Sequence, residues 1–172
     1  TKNDILFLKQ EGKGKELKKT DLSEDLNLVI KKGKEHEKKY LKLFTKKYPN
    51  YKIIQNKKDE KEQFRETVVA IKEGKEMISQ ALLMDEDGKF RGLADFLIKV
   101  NTDSDLGPWS YEVYDTKIAR NPKSLHVLQI TAYSEILKKI QRSTPKKMYL
   151  IGGNDKEHPY KVNQFIDYFT YI

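Results

Sequence analysis

The spacing of apolar residues changes twice along this chain, and that change constrains the fold more than any other feature of the sequence. In the first third, apolar residues recur three and four positions apart, as at Leu22, Leu26 and Val29, which is typical of amphipathic helices. From Thr67 onward, short apolar stretches alternate with turn-forming residues and predict strands. After Pro122 the helical spacing returns. We therefore expect helices packed around a sheet.

The same pattern predicts the individual elements. The predicted strands cover residues 51–55, 67–71, 77–83, 92–100, 109–118 and 148–151, with a polar connection at 56–63. Two amphipathic helices, or one interrupted near Gly33, precede them, and a helix covers 124–142. In the tail, residues 160–165 fit a strand, while 165–172 also suit a helix. We expect an α/β (α+β) fold whose mixed central sheet is flanked by helices, in the order helix, three or four antiparallel strands, helix, strand.

Length and composition exclude several classes of protein. A chain of 172 residues is expected to form one domain. It has no cysteine, which excludes disulfides, cysteine-bound zinc, iron–sulfur clusters and cysteine nucleophiles, so any metal must bind to oxygen or imidazole. No apolar run approaches the roughly 18 residues of a membrane span. We expect a cytoplasmic protein with no membrane partner.

The chain is basic, with 34 Lys and Arg against 26 Asp and Glu and a net charge of +8. Such a charge would attract a polyanion, and nucleic acid is the obvious candidate. Lysines spread over solvated helix faces would give the same total. Charge alone does not decide between these two interpretations.

Two predicted strands carry acidic residues among apolar ones. Side chains two positions apart project from the same face of a strand, roughly 6.5–7 Å apart, so Asp115 and Lys117 are neighbours. If the strand that contains Asp95 lies beside them, both carboxylates can bind one magnesium ion. Lys117 would then stabilise developing charge, an arrangement suited to phosphodiester hydrolysis. The structural alternative is an internal Asp–Lys ion pair.

Three segments in order resemble a known family. They are Gly92-Leu-Ala-Asp95, then Tyr111-Glu-Val-Tyr-Asp115-Thr-Lys117-Ile-Ala-Arg120, then His126-Val-Leu-Gln129-Ile-Thr-Ala-Tyr133. Their order and spacing resemble the RecB-type branch of the PD-(D/E)xK nuclease superfamily. The similarity covers residues 21–153, and it is strongest to RecB-like nucleases found alone or fused to helicase modules. It is more distant to CRISPR-adaptation exonucleases.

This resemblance implies a restriction-endonuclease-like core and a role for each matching residue. Asp95 and Asp115 would bind the metal, and Lys117 would be the catalytic lysine. Gln129 and Tyr133, four apart on one helix face, would lie near the active site and the DNA, although such residues are also common in ordinary packing.

Two further residues are candidates. His36 would complete the metal shell from an N-terminal helix, unless it is a surface histidine and the adjacent Glu37 takes that role. Arg120 lies just past the second acidic strand, where it could hold a phosphate or simply belong to a solvated loop.

The implied protein is a Mg²⁺- or Mn²⁺-dependent deoxyribonuclease, exonuclease-like on single strands or ends, in DNA repair, recombination or defence. Its partners would be DNA, with RNA as an alternative, and a helicase module or other flanking domain. Without cysteine it lacks the iron–sulfur cluster of many CRISPR-adaptation exonucleases.

We expect one domain over 1–172, with a charged helical part (1–50), a catalytic core (51–153) and a C-terminal extension (154–172). On the resemblance it is an excised or stand-alone nuclease core. Two alternatives remain: a catalytically silent nucleic-acid-binding module of the same fold, and a protein-interaction or inhibitor domain.

Overall fold

Six strands form one mixed sheet flanked by helices in the computed structural model, which describes residues 21–56, 59–88 and 90–170. The strands are β1 (Tyr51–Ile53), β2 (Met77–Met84), β3 (Arg91–Val100), β4 (Ser110–Thr116), β5 (Lys147–Ile151) and β6 (Glu157–Lys161). The helices are α1 (Asp21–Lys47), α2 (Glu60–Lys72), α3 (Ser124–Gln141) and α4 (Asn163–Thr170). The predicted α+β class and mixed central sheet are confirmed.

The strands lie in the sheet in chain order, from β1 to β6. β2, β3 and β4 are antiparallel neighbours, whereas β1 pairs with β2 and β4 pairs with β5 in parallel. Parallel strands need a long crossover, and α2 and α3 supply the two crossovers. Because α3 follows β4 directly, the end of β4 and the start of α3 lie close to each other.

Helix α1 covers one face of the sheet. Its Phe44 ring packs edge-on against Phe96 and Tyr114, with ring centroids 5.0 and 6.1 Å apart. The helix continues through Gly33, so the sequence pattern corresponds to one uninterrupted helix rather than two. None of the helices in the described part of the chain is apolar enough over its length to cross a membrane.

The opposite face of the sheet holds the larger core. Ile130 and Leu137 of α3 are fully buried there with Leu97 and Val113 of the central strands. Burial of this apolar surface is the main driving force for docking α3 on the sheet. The core therefore fixes the position of α3 relative to β3 and β4.

The predicted strand at 67–71 is wrong, because these residues lie in α2. Val68 and Val69 are β-branched and suggested a strand, but burial follows the helical spacing of Gln63, Thr67 and Ala70. Residues 56–63 are likewise more than a polar connection. Asp59 caps the helix, and its side chain accepts hydrogen bonds from the amides of residues 61 and 62.

Candidate active site

The antiparallel register of β3 and β4 brings the two predicted acidic residues together. Pairing runs from Val100 opposite Ser110 to Phe96 opposite Tyr114, so the next step places Asp95 opposite Asp115. Directly opposed residues have Cβ atoms about 4.5–5.5 Å apart. Both side chains are buried, with relative exposures of 8% for Asp95 and 2% for Asp115.

Each of the two carboxylates has a different partner. Asp95 Oδ2 accepts hydrogen bonds from the Thr116 amide at 2.8 Å and from the Thr116 hydroxyl at 2.6 Å. Asp115 Oδ2 lies 2.7 Å from Lys117 Nζ, and the two groups form a largely buried ion pair. Lys117 follows β4 and lies on the same side as Asp115, as strand alternation predicts. Lys117 therefore places a positive charge directly beside Asp115 Oδ2.

The alternation of side chains in β3 breaks close to Asp95. Gly92 and Phe96 are four residues apart and would share a face in a regular strand. Instead Gly92 lies against Tyr133 of α3, while Phe96 packs on Phe44 of α1 on the opposite face. Asp95 lies within this irregular segment, which explains how its carboxylate reaches Thr116 while its charge still interacts strongly with Asp115.

Helix α1 contributes a third carboxylate, Glu37. Burial and the negative charge of Asp115 raise its pKa, and the positive charges of Lys34 and Lys117 lower it in part. Burial also raises the pKa of Asp95 well above its ordinary value, and repulsion from Asp115 and Glu37 raises it further. Hydrogen bonds from Thr116 lower it only in part. The site thus concentrates more negative charge than its neighbours neutralise.

His36 lies beside Glu37 in α1. Its ring packs edge-on against Tyr40, with ring centroids 5.2 Å apart, and its Nε2 atom is buried with no hydrogen-bond partner among the described residues. Glu37 is the residue of α1 whose charge interacts with those of Asp95 and Asp115.

The predicted pair on α3 faces the acidic residues. Gln129 Nε2 donates a hydrogen bond to the Tyr133 hydroxyl at 2.8 Å, and Tyr133 is 3% exposed. Burial and the charge of Asp115 raise the pKa of Tyr133, so its hydroxyl stays protonated. A Cβ atom at Gly92 would lie 2.1 Å from the Tyr133 ring, so only glycine leaves room for this tyrosine.

Arg120 is exposed in the loop between β4 and α3. Its carbonyl oxygen packs closely against Gly152, so this part of the loop backbone lies beside the turn that follows β5. Nearby, His126 Nδ1 accepts a hydrogen bond from the Lys123 amide at 3.3 Å and helps to begin α3.

Sequence reasoning missed two contributors, Thr116 and Gln80. Thr116 lies between the two motif residues, and its parity predicted that it would point away from them. Gln80 of β2 donates its side-chain amide to Glu37 Oε1. No sequence signal marks Gln80, because its role depends on which strand lies beside β3.

The donor chemistry of this site fits a divalent cation. Mg²⁺ prefers carboxylate oxygen and is commonly bound by one or two carboxylates together with substrate phosphates. Asp115 offers a buried carboxylate, and Asp95 lies opposite. Among the residues that the structure describes, no three His, Asp or Glu side chains already form a group that could hold a metal ion. The facing pair is therefore the part of the site whose oxygen donors fit such a cation.

Comparison with known proteins adds no family to this description. No protein-family model matches the sequence, and no curated protein matches it either. The resemblance to RecB-like nucleases therefore stays a prediction from the order and spacing of motifs. What the chain does must be inferred from the geometry of Asp95, Asp115 and Lys117 and the side chains around them.

Proposed function

We propose that this chain is a divalent-metal-dependent deoxyribonuclease of the RecB-like, restriction-endonuclease-like type. The observation that carries the proposal is the convergence of two buried carboxylates and one ammonium group where the middle of β3 meets the end of β4. A structural ion pair needs one acid and one base, whereas this site adds Asp95 and Glu37 to the pair. Uncompensated burial of like charges is costly, and such sites are often functional.

The chain's own residues have distinct proposed roles. Asp95 and Asp115 would hold Mg²⁺ or Mn²⁺, which when bound polarises a phosphate and makes a nearby water more acidic. The Lys117 ammonium would stabilise negative charge that develops on the phosphate oxygens. Tyr133 already accepts a hydrogen bond from Gln129, so its own proton is free to be donated to the substrate.

The substrate is proposed to be DNA, cut as single strands or from ends, in repair, recombination or defence. The net charge of +8 supports a polyanionic substrate, and the motif resemblance supports DNA and an exonuclease-like action. RNA is the alternative substrate. A helicase module or another flanking domain is the proposed protein partner.

The test is cleavage of linear, circular and single-stranded DNA and of RNA with Mg²⁺ or Mn²⁺. We expect metal-dependent cutting that Asp115→Asn abolishes. Glu112→Gln is a matched control, because Glu112 is a buried acid of the same strand whose carboxylate accepts a hydrogen bond from the Lys147 amide at 2.9 Å. If neither cation supports cleavage of any of these substrates, or if both variants lose it equally, the proposal is wrong.

A catalytically silent nucleic-acid-binding module is the second candidate. The basic charge favours it, since binding to phosphates needs lysines but no acidic site. It predicts salt-sensitive DNA binding that Asp115→Asn does not weaken, without cleavage under any metal condition. Measuring binding and cleavage on the same preparation separates the two candidates.

A further inference from the structure

Gln80 adopts an unusual backbone conformation in the middle of β2. Its φ angle is +56°, in the left-handed region that residues with a Cβ atom rarely adopt. A non-glycine residue keeps such a conformation only where the surrounding structure enforces it. Residues with this kind of strained backbone cluster at functional sites. The position of Gln80 therefore calls for a physical reason.

The register of the sheet supplies that reason. Ser79 pairs with Phe96 and Ala81 with Ala94, so Gln80 lies opposite Asp95 at the one step where the ladder is interrupted. The count of residues is the same on both strands, so no bulge explains the interruption. The left-handed turn at Gln80 redirects its side chain, and the amide donates a hydrogen bond to Glu37 Oε1.

We infer that Gln80 is a positioning residue that holds Glu37 beside the Asp95–Asp115 pair, where the negative charge of Glu37 adds to that of the pair. Glu37 comes from a helix, whereas the other two acids come from strands, so its placement depends on a contact between α1 and the sheet. The Gln80 amide provides that contact beside Asp95. A neutral donor suits this role, because it satisfies a half-buried carboxylate oxygen without neutralising the charge that a cation would use. This inference rests on the proposed metal-dependent function.

The test is a double-variant cycle on the full chain, with Mn²⁺ binding measured by calorimetry. Gln80→Met keeps the length of the side chain but removes its donor, and Glu37→Gln removes the carboxylate. We expect each to weaken Mn²⁺ binding about 10- to 100-fold, as loss of a residue that orients a ligand typically does. Combined, they should weaken it no further than Glu37→Gln alone, because Gln80 acts through Glu37.

Two further variants guard against a folding defect. Gln80→Asn suits a left-handed backbone but is too short to reach Glu37, so it should weaken Mn²⁺ binding as Gln80→Met does. Gln164→Met, on the exposed start of α4, should leave binding unchanged. The electron paramagnetic resonance spectrum of bound Mn²⁺ should change in both Gln80 variants and not in the control.

The outcomes separate this inference from the proposed function. Wild-type protein that binds Mn²⁺ and cuts DNA, together with unchanged binding in Gln80→Met, overturns the positioning role and leaves the nuclease standing. If the fold-losses of Mn²⁺ affinity in the two single variants multiply in the double variant, the positioning role is also overturned, because Gln80 and Glu37 then act independently. Wild-type protein that binds Mn²⁺ without cutting removes the nuclease, while the same cycle still decides the role of Gln80. Wild-type protein that neither binds Mn²⁺ nor cuts removes both.

Discussion

The two ends of β4 both bury polar side chains, but the cluster at its start is neutral, whereas the cluster at its end is acidic. At its start, Gln141 Oε1 accepts a hydrogen bond from the Tyr111 amide at 2.9 Å, and its Nε2 donates to the Ser143 carbonyl at 2.9 Å. The Tyr111 hydroxyl donates to the Lys75 carbonyl at 2.7 Å. At its end, Asp95 and Asp115 face each other as like charges.

This difference separates a structural polar cluster from a candidate functional one. The neutral hydrogen bonds of Gln141 and Tyr111 stabilise the junction of α3 with β4 and need no ligand. Facing carboxylates destabilise the fold unless something else binds to them. We therefore expect the facing carboxylates at the end of β4 to have a function, whereas the neutral cluster at its start has a structural role. Four experiments test this difference.

The largest expected effect is on catalysis at the end of β4. Lys117→Met removes the ammonium group 2.7 Å from Asp115 Oδ2, and we expect DNA cleavage to fall about 10²–10³-fold, as for loss of one charge-stabilising donor. Lys99→Met is the control from the other end of the sheet, since Lys99 Nζ donates to the Gly74 carbonyl at 3.0 Å. Equal loss of cleavage in both variants would show that the two ends of β4 do not differ in their importance for catalysis.

The second effect is metal binding. Mn²⁺ at about 100 times its dissociation constant should raise the free energy of unfolding by about 2.7 kcal/mol, because it binds only the folded site. Urea denaturation with and without Mn²⁺ measures this. The Asp95→Asn/Asp115→Asn double variant should show no such increase, and an equal increase there would place the cation elsewhere.

The third effect is on stability at the start of β4. Gln141→Ala leaves the Tyr111 amide buried without an acceptor, and we expect it to lower the free energy of unfolding by about 1–3 kcal/mol. Cleavage and Mn²⁺ affinity, measured well below the melting temperature, should stay unchanged. Reduced Mn²⁺ affinity at constant fold would mean that the two ends of β4 are coupled.

The smallest effect is a gain in stability with a pH signature. Because the pKa of Asp95 is raised in the folded state, folding binds a proton between its ordinary pKa, about 3.9, and the raised value. Stability should therefore fall as pH rises through that window. Asp95→Asn keeps an acceptor for Thr116 and removes the charge, so it should gain about 0.5–2 kcal/mol at pH 7. Thermal melts from pH 4 to 8 measure this, and a variant less stable than wild type at pH 7 would contradict it.

Local pattern was enough to predict β3, β4 and α3. In each of them, apolar residues either alternate with polar ones or recur every three to four positions over a long stretch. Neighbouring residues alone are therefore enough to identify the element. The prediction for residues 67–71 was wrong because it also used local pattern alone. Its valines favour a strand locally, but the Asp59 cap and the burial of one helical face outweigh that preference.

By itself, the sequence determined the class of the fold and the identity of the acidic and basic motif residues, since both depend on short-range spacing. Only the tertiary structure decided the register that sets Asp95 opposite Asp115, the approach of Glu37 from α1, and the left-handed Gln80 between them. These features depend on which distant segments pair in the sheet. Such pairing is set by the packing of the whole core rather than by any local pattern.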